Sequence, residues 1–275
     1  MADSLPSLSA LKRRIAAIEQ HRPAMAEVHV SSGHDGIDVA TGGGIARGCL
    51  HELFASEPDD AGSITGFATM LAVRLGGGII WLRQEGVQKA SGRLHAAGLM
   101  EIGLDPARMI LAVLPDPLSV LRAAADVVRC PDVGVAVVEL WQRPPALDLT
   151  ASRRLALAAE ASGVTILLLR VDAEPTPSAA QTRWAVRAAA SAPLEANAPG
   201  HPTLEIELLR QRGRPAGGRW HVEWDRERAV FLAADRPAER HANTTIRAAS
   251  SGAVVPLPFG GQDDAPAVLP IRRTG

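Results

Sequence analysis

The stretch G48-CLHELFASEPDDAGSITGFATMLAVR-L75 decides how the chain is read. A short apolar strand centred on Leu53 and Phe54 runs into a loop of small and acidic residues, and a helix is expected from about Thr65. Strand, loop, helix is the layout of a nucleotide phosphate site, in which backbone N–H groups, a helix N-terminus and a lysine surround the phosphates. The loop has the location and the hydroxyls, with Ser56, Gly62, Ser63 and Thr65 as its candidate contacts, but it has no Gly-Lys-Ser/Thr. The chain's two lysines, Lys12 and Lys89, follow Leu11 and Gln88, so no Gly-Lys dipeptide exists anywhere. Glu57, Asp59 and Asp60 would repel a triphosphate. The sequence thus predicts a degenerate nucleotide loop.

Outward from this stretch, apolar strands alternate with helices. Strands are expected at Gly78–Arg83, Met109–Leu114, Val133–Leu140 and Val164–Arg170, with helices near Gly92–Met100, Asp116–Arg129 and Leu149–Ser162. Continuous apolar strands between amphipathic helices indicate a mostly parallel sheet covered on both faces, an α/β fold. After Arg170 the period changes to two: "TRWAVRAA", "TLEIELLRQ" and "RWHVEWD" read as antiparallel strands added at one edge.

The ends read differently. Leu8, Leu11, Ile15 and Ile18 share one face of a helix expected within residues 1–22. The Gly-rich segment 23–47 reads as a linker, 48–232 as the core, and 233–275, rich in Ala, Arg, Pro, Gly and Ser, as a disordered tail. A formal net charge of −1 gives no global pull toward nucleic acid. No apolar run approaches the ~20 residues of a membrane span, and no secretory signal opens the chain, so a cytoplasmic protein is expected. Cys49 and Cys130 are expected as buried small hydrophobes. The histidines have no metal-ligand spacing; His51 and His221 are expected on strand surfaces.

Two carboxylates sit where a nucleotide enzyme would use them: Glu85 past the second core strand, to activate water, and Glu139 at the end of "VAVVEL", to help hold Mg²⁺. The arginines Arg210, Arg212, Arg214 and Arg219 surround an apparent hairpin, a candidate contact for an acidic partner or DNA phosphates.

In order, "GGGIARGCLHELF", "GRLHAAGLMEIGLDPARMILAV", "ASRRLALAAEASGVT", "TRW" and "RGRPAGGRW" resemble the ImuA family over about Gly42 to Asp225. The resemblance implies a RecA-like, P-loop-type core induced with the SOS response. It also implies action with ImuB, a Y-family polymerase-like protein lacking polymerase activity, and with an error-prone polymerase related to the C-family α subunit. Related sequences also carry the name of the division inhibitor SulA. Compared with RecA, the loop lysine is missing, Arg170 lies near the position of a phosphate-sensing glutamine, and "WQRPPALDL" and "VDAEPTPSAAQ" replace the two DNA-binding loops without their basic character. The reading that follows is a non-catalytic adaptor of translesion synthesis without a cofactor, joining RecA to ImuB, with indirect DNA contact and possible self-association. The rivals are an ATP- or single-stranded-DNA-binding protein, with Arg47 or Arg83 replacing the lysine, and a division inhibitor.

Overall fold

In the computed structural model, residues 28–198 and 200–234 are described. The expected helix bearing Leu8, Leu11, Ile15 and Ile18, and nearly all of the expected tail, lie outside them.

The core is one sheet in the order β11-β10-β9-β8-β3-β7-β6-β4-β5. Its strands are β3 (Leu50–Ala55), β4 (Gly78–Gln84), β5 (Met109–Leu114), β6 (Val133–Trp141), β7 (Thr165–Val171), β8 (Thr182–Ala188), β9 (Thr203–Gln211), β10 (Arg219–Asp225) and β11 (Val230–Ala233). From β8 to β5 all neighbours are parallel; β9, β10 and β11 extend the β8 side antiparallel. This is the expected α/β arrangement. The four-residue β11 was not foreseen, being too short to show a period of two.

Six helices are described: α1 (Asp35–Thr41), α2 (Ala61–Leu75), α3 (Glu85–Ser91), α4 (Ala96–Ile102), α5 (Pro117–Val127) and α6 (Leu149–Ser162). On one face α2 buries Ile64, Phe67, Ala68, Met70, Leu71 and Leu75 against Leu53, Val137, Leu169 and Trp184. On the other, α5 buries Val120, Leu121 and Ala124, and α6 buries Leu155, Ala156 and Ala159, against Leu50, Val138, Ile166 and Leu168. Each of these two helices starts on an aspartate: Asp116 accepts from the Ser119 N–H and Asp148 from the Ala151 N–H, satisfying donors that the first turn leaves over. An aromatic chain, Trp184, Phe67, Phe231 and Trp224, ties α2 to the antiparallel strands, with successive ring centroids 6.3, 5.5 and 4.9 Å apart.

Three sequence expectations are corrected. The segment read as a linker, 23–47, folds from residue 28 onward: β1 (His29–Val30) pairs with β2 (Ile45–Ala46), α1 lies between them, and Ile37 and Ile45 join the core. Its glycines serve a sharp return, since Gly42, Gly43 and Gly44 all have positive φ, and a Cβ on Gly44 would lie 2.1 Å from the Val30 carbonyl oxygen. Cys130 is exposed just past α5, and Cys49 is half-buried. His51 is fully buried rather than on a surface: Thr182 Oγ1 lies 2.7 Å from its Nδ1, the Ala46 carbonyl 2.8 Å from its Nε2, and Trp184 Nε1 donates to Thr182 Oγ1 at 2.8 Å. That chain is satisfied by a neutral imidazole, and burial lowers its pKa to about 4.

Candidate functional site

The loop after β3 lies at the carboxyl ends of the parallel strands, where open α/β sheets place their ligands. Its local structure differs from a phosphate cradle. Pro58–Asp60 form a 3₁₀ turn that continues directly into α2 at Ala61, four residues before the expected start. The Asp60 N–H donates to the Glu57 carbonyl at 3.1 Å and the Ala61 N–H to the Pro58 carbonyl, so two donors that a phosphate would need are spent within the turn. No residue from 49 to 75 has a positive φ, so the alternation of right- and left-handed residues that makes an anion nest is absent there. Gly62 is exposed inside the first turn of α2, and a Cβ there would meet nothing within 4 Å. Ser63 and Thr65 lie half-buried on α2 itself. Ser56 is half-buried, Glu57 and Asp59 are exposed, and Asp60 accepts from the Ala188 N–H at 2.8 Å.

The arginines considered as substitutes for lysine are elsewhere. Arg47 precedes β3, at the opposite end from the loop, and its Nη2 donates to the Leu75 carbonyl at the C-terminus of α2. Arg83 is buried on β4, directly opposite Glu139 in the parallel register of β4 and β6. Its Nε lies 3.1 Å from Glu139 Oε2, a close ion pair rather than an aligned hydrogen bond, while Nη1 donates to the Gly92 carbonyl and Nη2 to Ser91 Oγ. Glu139 is 1 % exposed and also accepts from Trp81 Nε1 and Trp141 Nε1, each at 3.2 Å. Both carboxylate oxygens are thus held by the protein. Glu85, by contrast, is exposed as the first residue of α3.

A second buried charge pair occupies the other face. Arg183 on β8 lies opposite Glu52 on β3, with Nε 2.9 Å from Oε2, and Ser178 Oγ donates to the same oxygen at 2.6 Å. Arg170, at the end of β7, is buried against the Phe54 ring, 5.8 Å from its centroid, and donates from Nη2 to the Gln142 carbonyl at 3.1 Å. Burial pulls its guanidinium below the usual arginine value; Glu52 opposes this, and Arg143 and Arg183 add to it. These groups brace the strand ends. Gln142 and Asp172, the residues after β6 and β7, both adopt positive φ, at 58° and 52°, and meet through Gln142 Nε2 and Asp172 Oδ2. The sequence signal for both pairs is one charged residue of opposite sign in each of two otherwise apolar strands, "HELF" with "TRWAV" and "IIWLR" with "VVEL"; parallel register brings them together.

The arginine hairpin is divided rather than pooled. Arg219 lies between Glu205 and Glu207 of β9, which raise its pKa, Glu207 foremost. Arg212 pairs with Glu160 of α6 at 3.5 Å. Arg214 packs on Gly42, where a Cβ would lie 2.4 Å from its guanidinium carbon, and Arg210 is exposed on β9. A cleft of about 450 Å³ lies at the ends of β4 and β6, lined by Gln84, Val87, Trp141, Arg143, Pro144 and Pro117 among others; none of residues 56–65 belongs to it. Among the described residues no cluster of three His, Cys, Asp or Glu could hold a metal, and no helix is long and apolar enough to cross a membrane.

No family model matches the chain. The crystal structure of the RadB recombinase superposes with a TM-score of 0.52 at 15% identity, covering 75% of this chain and 100% of RadB, which establishes a RecA-like fold. Protein ImuA of Caulobacter vibrioides, in strains NA1000 / CB15N and ATCC 19089 / CIP 103742 / CB 15, is 31% identical over 194 residues, covering 64% of this chain and 75% of the relative. With the fold, the order of elements and this match in agreement, the chain belongs to the ImuA family.

Proposed function

We propose that this RecA-like ImuA family member is a non-catalytic adaptor in DNA-damage mutagenesis, which brings ImuB and an error-prone C-family polymerase to damaged DNA by docking on RecA. The observation that carries the reading is the engagement of Glu139: an acid that should face Mg²⁺ is buried, paired with Arg83 and capped by two indoles. A carboxylate so neutralised has little attraction left for a cation, and freeing it would strand the Arg83 charge in the interior. The loop after β3 adds no compensating cation: no lysine or arginine lies between Ala55 and Val73. What such a core retains is surface, and recognition is the activity it can perform.

The docking elements proposed are the apolar positions Leu8, Leu11, Ile15 and Ile18, which lie outside the described residues, and the exposed arginines of the β9–β10 hairpin, Arg210 first among them. DNA contact is proposed as indirect, through RecA. Co-purification with RecA and with ImuB, using the full chain and a form lacking residues 1–20, tests the assignment. Capture of both partners by the full chain and loss of one on truncation is expected; failure of the full chain to capture either would overturn the adaptor reading.

A further inference from the structure

The two ends of the sheet are finished differently. At one end β11 is covered: the Phe231 N–H donates to the Ser32 carbonyl at 3.0 Å, and Arg74 reaches from α2 to the Ala229 carbonyl. At the other end β5 pairs with β4 alone, and its outer row of backbone N–H and C=O groups has no strand beside it among the described residues. An open edge of this kind is normally blunted by lysine, proline or a bulge. Met109–Leu114, "MILAVL", has no charge and no proline, and its register with β4 is unbroken. Ile110 is 65% exposed, Leu111 38% and Val113 41%, so apolar side chains stand in solvent on both faces of the edge. Leu118, 45% exposed in the first turn of α5, follows close in sequence.

We infer that β5 pairs antiparallel with β5 of a second copy of this chain, joining two sheets across a two-fold axis at Ala112. The charges that bracket the strand select the occupant and the register. Arg108, which ends the 3₁₀ turn before β5 and donates from Nη2 to the Gly77 carbonyl, and Asp116, which caps α5 through Ser119, are both exposed and stand four residues before and four after Ala112. Antiparallel pairing centred on Ala112 sets Ile110 against Leu114 of the partner subunit, and Leu111 against Val113 of the partner subunit; it also brings the arginine end of each strand beside the aspartate end of the other, twice. Parallel pairing would instead oppose arginine to arginine, which is unfavourable. The smallest side chain of the strand falls on the axis, and the apolar pairs flank it on each face. Such an interface is self-complementary, as a two-fold dimer requires.

The register is testable by cross-linking in the full chain with Cys130→Ser as background. In the inferred pairing Ala112 faces its own copy, so Ala112→Cys forms a disulfide-linked dimer under mild oxidation. Ile110→Cys does not, because a four-residue offset separates the two copies of position 110 by about 13 Å, beyond the reach of a disulfide. Sedimentation velocity at micromolar concentration is expected to give twice the chain mass for the unmodified protein and the single mass for Val113→Lys with its circular dichroism intact. Should Val113→Lys fail to fold, the cysteine pair still decides. A monomer at these concentrations, or equal cross-linking at positions 110 and 112, would overturn the inference.

Discussion

The Arg83 guanidinium lies 3.1 Å from the Glu139 carboxylate, with both side chains almost wholly buried between β4 and β6. The pair joins two adjacent parallel strands at the level where a nucleotide enzyme of this fold would keep its acid free. Removing one member strands the other in the interior at a cost of roughly 3–5 kcal/mol, whereas replacing both with apolar residues of similar size is often neutral. Urea denaturation of Glu139→Ala, Arg83→Met and the Arg83→Met/Glu139→Met double variant checks this. The single variants are expected to lose several kcal/mol, and the double variant much less than their sum.

His51 makes the core sensitive to pH. Its folded-state pKa of about 4 lies below its ordinary 6.5, so the unfolded chain binds the additional proton between those values. The contribution is fully present above pH 6.5 and is lost as pH falls toward 4, up to roughly 3 kcal/mol over that window. Denaturation midpoints measured from pH 7 to pH 4.5 are expected to fall, and to fall less steeply in His51→Gln, in which nothing titrates at that position.

Gly134 is a second place where one atom decides. It is the second residue of β6, against the turn before β4, and a Cβ there would lie 2.5 Å from the Gly76 carbonyl oxygen and 2.8 Å from the Gly77 Cα. Both neighbours are backbone and cannot rotate away. Gly134→Ala is expected to cost roughly 1–3 kcal/mol, the range for forcing an extra methyl into packed structure, while Gly62→Ala, which meets nothing, is expected to be neutral or stabilising. Thermal melts of the two variants compare them directly.

The arginines of the hairpin should separate by function according to their pairing. Arg219 already serves Glu205 and Glu207, so Arg219→Ala is expected to leave RecA and ImuB capture unchanged. Arg210 is exposed, and Arg210→Glu is expected to reduce capture of an acidic partner several-fold, measured by pull-down at two salt concentrations. Equal losses from both substitutions would contradict the assignment of Arg210.

The fold was legible in the sequence because buried parallel strands are written as uninterrupted apolar runs: β6 (Val133–Trp141) and β7 (Thr165–Val171) each fall within one residue of their expected bounds. The start of α2 was missed because Gly62 and Ser63 are poor helix formers, kept helical by the packing of Ala61 and Ile64 beneath them. Residues 28–47 were unreadable for a related reason. Ile37 and Ile45 are too sparse to form a period, and glycines that look like a tether supply the left-handed turns of a small folded unit. The absence of a loop lysine was plain from the sequence. That Glu139 is bound from within by Arg83, and that Arg212 is drawn off to Glu160, depends on residues 50 or more positions away, and only the folded register brings those into view.

Isothermal titration of the full chain with ATP and Mg²⁺ tests the central claim most directly. With the loop's donors closed on themselves and its acid paired to Arg83, no saturable heat is expected at millimolar nucleotide. Saturable, Mg²⁺-dependent binding that Glu139→Gln weakens without unfolding the protein would contradict the account.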